Sequence, residues 1–206
     1  MYTGLIGRLG SLRKIVTEGE SLRLDVETSP FVEPLQEGDL VSLSGFGLAV
    51  EKPKQVSGTM LRWRTRVSDP FAVAHISATW SPGSILNIER ATLFGDELGG
   101  NFVFGEPSLA VTVMAITKAE ERLLVRFRAD SSLTGKVAKN CGMALDGIAM
   151  TAYKMIDERT YDSVLNGQTR RNTSFVRLAV GDRLALEPDV LLSPRIAPKW
   201  PGKAVA

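Results

Sequence analysis

A single cysteine and a single histidine are all that 206 residues carry of these two types. Cys141 alone excludes an internal disulfide framework and a cysteine-rich zinc site. His75 alone excludes a histidine-rich metal centre and weakens any Ser-His-Asp arrangement, so no metal is expected. His75 sits in AVAHISAT, read here as strand, where a lone histidine is structural. Cys141, beside an apolar run, reads as a small buried hydrophobe. Charge of one sign is also scarce: 25 Lys+Arg against 23 Asp+Glu leave +2, which calls for neither nucleic acid nor an anionic membrane. No apolar run approaches the roughly 18 residues of a membrane span, and MYTGLIGRLG lacks a signal-peptide core and cleavage site. A cytoplasmic protein with no nucleic-acid and no membrane partner is expected. Without a secretory signal, the Asn172-Thr173-Ser174 triplet carries no meaning as a glycosylation site. GFGLAV is a glycine pair in a strand and not a dinucleotide fingerprint, since no third glycine or helix follows.

What is abundant is alternation with a period of two. SLRLDVE sets Leu22, Leu24 and Val26 against Arg23 and Asp25. LRWRTRV sets Leu61, Trp63, Thr65 and Val67 against Arg62, Arg64 and Arg66, and LLVRFRA opposes Val125 and Phe127 to Arg126 and Arg128. Such runs are half-buried strands with one wet face. The arginine stripes therefore read as a solvated barrel face; a nucleic-acid groove would interleave aromatics. Glycine and proline fall between the runs, at Pro30, Gly38, Pro53, Gly58, Pro82, Gly83, Gly135 and Gly181. Short strands with regular turns point to an all-β chain of barrels or sandwiches.

The pattern occurs twice. VSLSGFGLAV from Val41 parallels MALDGIAMTA from Met143, with Ser44 opposite Asp146, Gly45 opposite Gly147 and Ala49 opposite Thr151. GSILNIERATL from Gly83 parallels GDRLALEPDVL from Gly181, placing Glu89 opposite Glu187 and Ala91 opposite Asp189. YTGLIG from Tyr2 overlays VFGEPS from Val103, Gly4 on Gly105. Three matches in one order and at nearly one offset imply a duplicated unit of about a hundred residues, the ordinary scale of a domain. The glycines of GDELGG mark the join, giving units 1–97 and 98–191 and a tail 192–206 with prolines at 194, 198 and 201.

These stretches resemble riboflavin synthase of the α-chain type along the chain up to about Leu192. Met1-Tyr2-Thr3-Gly4-Leu5 is similar to that family's start, and Leu86 to Ala91 to its Val-Asn-Leu-Glu-Arg-Ala. Gly95 to Gly100 matches its Gly-Asp-x-Leu-Gly-Gly, and Leu145 to Thr151 its Ile-Asp-Gly-Ile-Ser-Leu-Thr. The resemblance implies a tandem of two Greek-key barrels of about six strands each, related by a pseudo-twofold axis. It also implies one dimethyl-ribityl-lumazine site per barrel, with transfer of a four-carbon unit between the two ligands.

The family's polar side chains are largely missing. Its first-barrel cysteine and threonine fall at Gly47 and Ala49, its two histidines at Asn101 and Glu106, and its second-barrel serine at Ala149. Asp146, Thr151 and the ribityl-facing aspartate, Asp189, remain, while the lysine before the second motif falls at Lys139 or Asn140. Each lost acid or base costs on the order of 10²–10⁴ in rate, so the parent dismutation is not expected. The resemblance thus gives Asp146, Gly147, Ala149, Thr151, Asp189, Gly47 and Ala49 as ligand-binding positions, with Asn101 and Glu106 as candidates for new acid/base roles. The leading expectation is a binder of lumazine, flavin or a related small molecule in the second barrel, requiring no cofactor. The alternatives are a repurposed enzyme, such as a cyclase of a hydrophobic intermediate, and a weak riboflavin synthase. The family trimer uses a C-terminal helix, whereas the tail here contains prolines, so a monomer or a different oligomer is expected.

Overall fold

The computed structural model of the chain describes residues 1–96, 98–120 and 122–191. The expected tail from residue 192 lies outside the described residues. In the first half, β1 (Arg8–Glu18), β2 (Ser21–Thr28), β3 (Leu40–Leu43), β4 (Phe46–Ala49), β5 (Glu51–Ser57), β6 (Met60–Val67) and β7 (Ile85–Arg90) follow in chain order. The second half repeats them as β8 (Leu109–Ala119), β9 (Arg122–Ala129), β10 (Gly142–Leu145), β11 (Ile148–Thr151), β12 (Lys154–Met155), β13 (Thr160–Leu165) and β14 (Arg183–Pro188). Alternation decides which face is wet. Along β6, Leu61, Trp63, Thr65 and Val67 are buried while Arg62, Arg64 and Arg66 are exposed. The outer arginines meet acids: Arg62–Glu27 at 2.7 Å, Arg64–Asp25 at 3.2 Å and Arg66–Glu18 at 3.0 Å. The stripe is a paired, solvated surface.

The strand order is β4-β3-β7-β1-β2-β6-β5 in one half and β11-β10-β14-β8-β9-β13-β12 in the other. Counting on by seven turns one order into the other, so the duplication read in the sequence is complete at the level of topology. The first and last strands of each order are neighbours in the chain. β4 ends at Ala49 and β5 starts at Glu51, and the strand bends at the buried Val50. One bent strand therefore pairs with β3 at one end and β6 at the other, which closes six strands into a barrel. Side chains tie the seam: Thr65 Oγ1 donates to the Ala49 carbonyl at 2.8 Å, and Ser163 Oγ to the Thr151 carbonyl at 2.6 Å.

One segment corrects the strand reading. Residues Pro70–Thr79, which include His75, form a helix, α1. Asp69 caps it by accepting from Ala72 N at 2.8 Å, and Pro70 sits in the first turn. There its fixed φ suits a helix and its missing N–H is not needed. Among its described residues, the second half has only the short α2 (Gly167–Asn172) and a 3₁₀ turn at Ser174–Arg177. Each barrel encloses its own core, around Leu24, Trp63 and Ile76 in the first, and Phe127, Tyr161 and Leu186 in the second. Ala185 of β14 packs into the first core. Cys141, expected to be buried, is half-buried just before β10.

Candidate functional site

The halves meet at two hairpin tips. Both turns place two residues at positive φ, Ser44 (44°) with Gly45 (94°) and Asp146 (45°) with Gly147 (77°). Such dihedrals mark the tight turns that match strand twist and favour Gly, Asn and Asp. A Cβ on Gly45 would come within 2.9 Å of Gly147 N, and one on Gly147 within 2.7 Å of Gly45 N. Only glycine lets the two backbones come this close.

Around this contact the lead-in segments cross over. Tyr2 and Val103 pair as an isolated antiparallel bridge. Gly47 N donates to the Gly105 carbonyl at 2.8 Å, and Ala149 N to the Gly4 carbonyl at 2.9 Å. Each half's β4-type strand is thus bordered by the other half's lead-in. A buried glutamate fixes each crossing segment. Glu89 accepts from Thr3 N (2.6 Å), Thr3 Oγ1 (2.8 Å) and Gly4 N (2.9 Å). Glu187 accepts from the N–H groups of Phe104 (2.7 Å), Gly105 (3.0 Å) and Glu106 (3.0 Å). Burial pushes both carboxyls above their ordinary range, and the donated hydrogen bonds hold them back in part. Tyr2, buried near both carboxylates, has its phenol pushed up to about 12 by burial first and their charges second.

Two barrel mouths open beside the crossings. The first-half mouth has a volume of about 660 Å³, with Phe46, Leu48 and Phe71 as apolar wall and Arg66, Ser68, Glu106 and Ser108 as polar rim. The second-half mouth is about 400 Å³, lined by Ile6, Ile148 and Ala149 and the uncharged side chains of Asn166, Gln168, Thr169 and Asn172. A third cavity of about 410 Å³ lies where the hairpin tips meet. Under the floor of the first mouth, His75 stacks on Phe71 at 5.9 Å and lies 5.8 Å from Phe46. Burial lowers its pKa to about 4, aided by the Arg183 charge and opposed by Asp130, and neither ring nitrogen has a hydrogen-bond partner among the described residues.

The residues expected to form a site do not gather in one place. Gly47, Ala49 and Glu106 line the first mouth, and Ala149 lines the second. Of the two acids lining the first mouth, Asp69 is engaged as the cap of α1, while the Glu106 side chain makes no hydrogen bond or ion pair with a described residue. Asn101 is occupied: its Nδ2 donates to the Met143 carbonyl at 2.7 Å and the Met150 carbonyl at 3.1 Å. Asp189 is buried and accepts from Phe102 N at 3.0 Å and Leu191 N at 2.8 Å, holding the linker to the end of β14. Thr151 is exposed at the barrel seam. Gly147 is at the axis. Asp146 turns away from the second mouth toward the axial cavity, and its Oδ1 accepts from Ala185 N at 2.7 Å. Its pKa is raised to about 7 by burial, partly offset by that bond and reinforced by Asp182.

Sequence reasoning missed Phe71, Ser68 and Asp69, which build the first mouth from the start of α1. The Asp-Pro pair was the available signal. With glycine and alanine at 47 and 49, the mouth offers an aromatic wall, the hydroxyls of Ser68 and Ser108, the Arg66 cation and two acids, Glu106 and the helix-capping Asp69, and no thiol or histidine.

No family model matches the chain. It is 27% identical over 194 residues to the riboflavin synthase of Brucella abortus (strain 2308), covering 93% of this chain and 94% of that protein. It is 22% identical over 191 residues to the riboflavin synthase of Bacillus subtilis (strain 168), covering 93% and 86%. Among solved structures, LumP complexed with riboflavin superposes with a TM-score of 0.75 at 20% identity, covering 91% of this chain and 99% of that one. LumP complexed with 6,7-dimethyl-8-(1'-D-ribityl) lumazine superposes with a TM-score of 0.73 at 20% identity, covering 91% and 98%.

Proposed function

From a chain that is a riboflavin synthase-like member of the lumazine-binding family, we propose a binding protein that holds a lumazine, flavin or related ring ligand without the parent dismutation. The first-half mouth is the binding site. One observation carries this reading: the largest mouth joins an aromatic wall, Phe46 and Phe71, to a polar rim, and carries Gly47 and Ala49 where a reaction would need a nucleophile and a hydroxyl. A flat heterocycle gains most of its affinity from such a wall, while a few polar groups fix its orientation. The complexes of LumP with riboflavin and with the ribityl lumazine support the ligand class.

The test is fluorescence titration with riboflavin and with the ribityl lumazine. Binding at micromolar Kd or tighter, lost on filling the mouth by Ala49→Trp, is expected. Riboflavin formed from lumazine above background, or no binding of either compound, overturns the reading. A second reading, a repurposed enzyme acting on a hydrophobic intermediate, draws on Glu106 as an unpaired carboxylate beside the apolar wall. Retained ring binding in Glu106→Gln separates a binder from an enzyme that needs this acid.

A further inference from the structure

The axial cavity belongs to neither mouth, and six pairs of equivalent residues from the two halves line it. Ser44 is equivalent to Asp146, Thr79 to Arg177, Trp80 to Leu178, Gly83 to Gly181, Ser84 to Asp182 and Ile85 to Arg183. The first half contributes no charge to any of these pairs. The second half contributes four.

The fold does not require those charges, because the first half does the same structural work without them. Ser44 Oγ accepts from Asn87 N at 3.1 Å where Asp146 Oδ1 accepts from Ala185 N at 2.7 Å. Ser84 Oγ accepts from Ser81 N at 2.9 Å where Asp182 Oδ2 accepts from Ala179 N at 2.8 Å. A hydroxyl suffices at both places, yet the second half spends two carboxylates there, close enough that Asp182 raises the Asp146 pKa further. Arg183 is taken by an ion pair with Asp130. Arg177 makes no ion pair with a described residue. Among the described residues, the second half's share of the lining therefore holds two acids lacking a cation and one cation lacking an acid, while the first half's share includes Trp80.

We propose that the axial cavity binds a small zwitterion of the α-amino-acid class. The ammonium lies against Asp146 and Asp182, the carboxylate on the Arg177 guanidinium, and the side chain on Trp80 and Ile85. Burial, reinforced by Asp182, leaves Asp146 about half protonated near pH 7; a cation between the two acids favours the carboxylate, so binding at pH 7 releases up to about half a proton. The volume of about 410 Å³ accommodates a molecule of this size. The inference is independent of ring binding in the mouths.

The experiment screens the common α-amino acids by ligand-observed NMR on the full chain at about 10 mM, enough to detect millimolar affinity. The best binder is then compared with its decarboxylated amine and its deaminated acid. Titration calorimetry in two buffers of different ionisation enthalpy counts the released proton. Asp182→Ser and Arg177→Thr install the residues of the other half, so the turns keep their hydrogen bonds and melting temperatures should hold. Each change is expected to weaken the zwitterion at least tenfold, and each single-charge analogue to bind at least tenfold more weakly. The proposal fails if no amino acid binds, if the Ser and Thr variants bind unchanged, or if a single-charge analogue binds as well as the zwitterion.

Discussion

Ser44 and Asp146 occupy equivalent hairpin tips, and each accepts a hydrogen bond from the backbone N–H of the neighbouring strand, Asn87 in one half and Ala185 in the other. The geometry is shared and the ionisation is not. The raised Asp146 pKa means that the folded protein holds a proton which the unfolded chain releases between about 4 and about 7. This group's contribution to stability is full below pH 4 and is lost as pH rises to 7. Asp146→Asn keeps the acceptor and suits positive φ. It is expected to raise stability at pH 8 by roughly 2–4 kcal/mol and to leave it unchanged at pH 3.5, read by urea unfolding at both values.

His75 gives the opposite sign. Its folded pKa of about 4 lies below the ordinary histidine value of 6.5, so the unfolded chain takes up a proton that the folded protein refuses. Its share of stability is complete above pH 6.5 and falls away as pH drops to 4. His75→Leu removes two unpartnered nitrogens from an aromatic environment and should add about 1–3 kcal/mol at pH 7. The gain should widen between pH 6.5 and 4.5, and a constant gain over that range would contradict the assignment.

The two glutamates make a matched pair for mutagenesis. Glu89→Ala or Glu187→Ala leaves three donors without their acceptor. Each unsatisfied buried donor costs roughly 1–3 kcal/mol. Losses of at least 3 kcal/mol in thermal or chemical unfolding are expected for both, and similar in size.

Gly45→Ala tests the contact at the axis. Its Cβ would press on Gly147 N at 2.9 Å with φ at 94°, whereas Gly19 has positive φ and nothing within 4 Å. Gly19→Ala should cost about 1 kcal/mol, the price of the backbone conformation alone. Gly45→Ala should lower the melting temperature much further.

Some of this was legible in the sequence. The Ser44-Gly45 and Asp146-Gly147 tips and the Glu89 and Glu187 anchors declared the duplication, because turns and buried carboxylates demand particular residue types. Alternation in β6 gave the wet face directly. The helix α1 did not show itself: PFAVAHISAT has small and apolar residues all round, so no helical stripe stands against the strand reading. Position by position, resemblance placed Asp146, Thr151 and Asp189 as survivors of one site. Spacing cannot show which way a turn tip faces, and the three residues end at the axis, the seam and the linker.

The crossed lead-ins, Gly4 against Ala149 and Gly105 against Gly47, have a consequence for descent. Each barrel borrows one wall from its twin, so neither can be deleted or shuffled into another gene without opening the survivor's mouth. Once established, such an exchange works as a ratchet: the copies are free to diverge in chemistry but not to part.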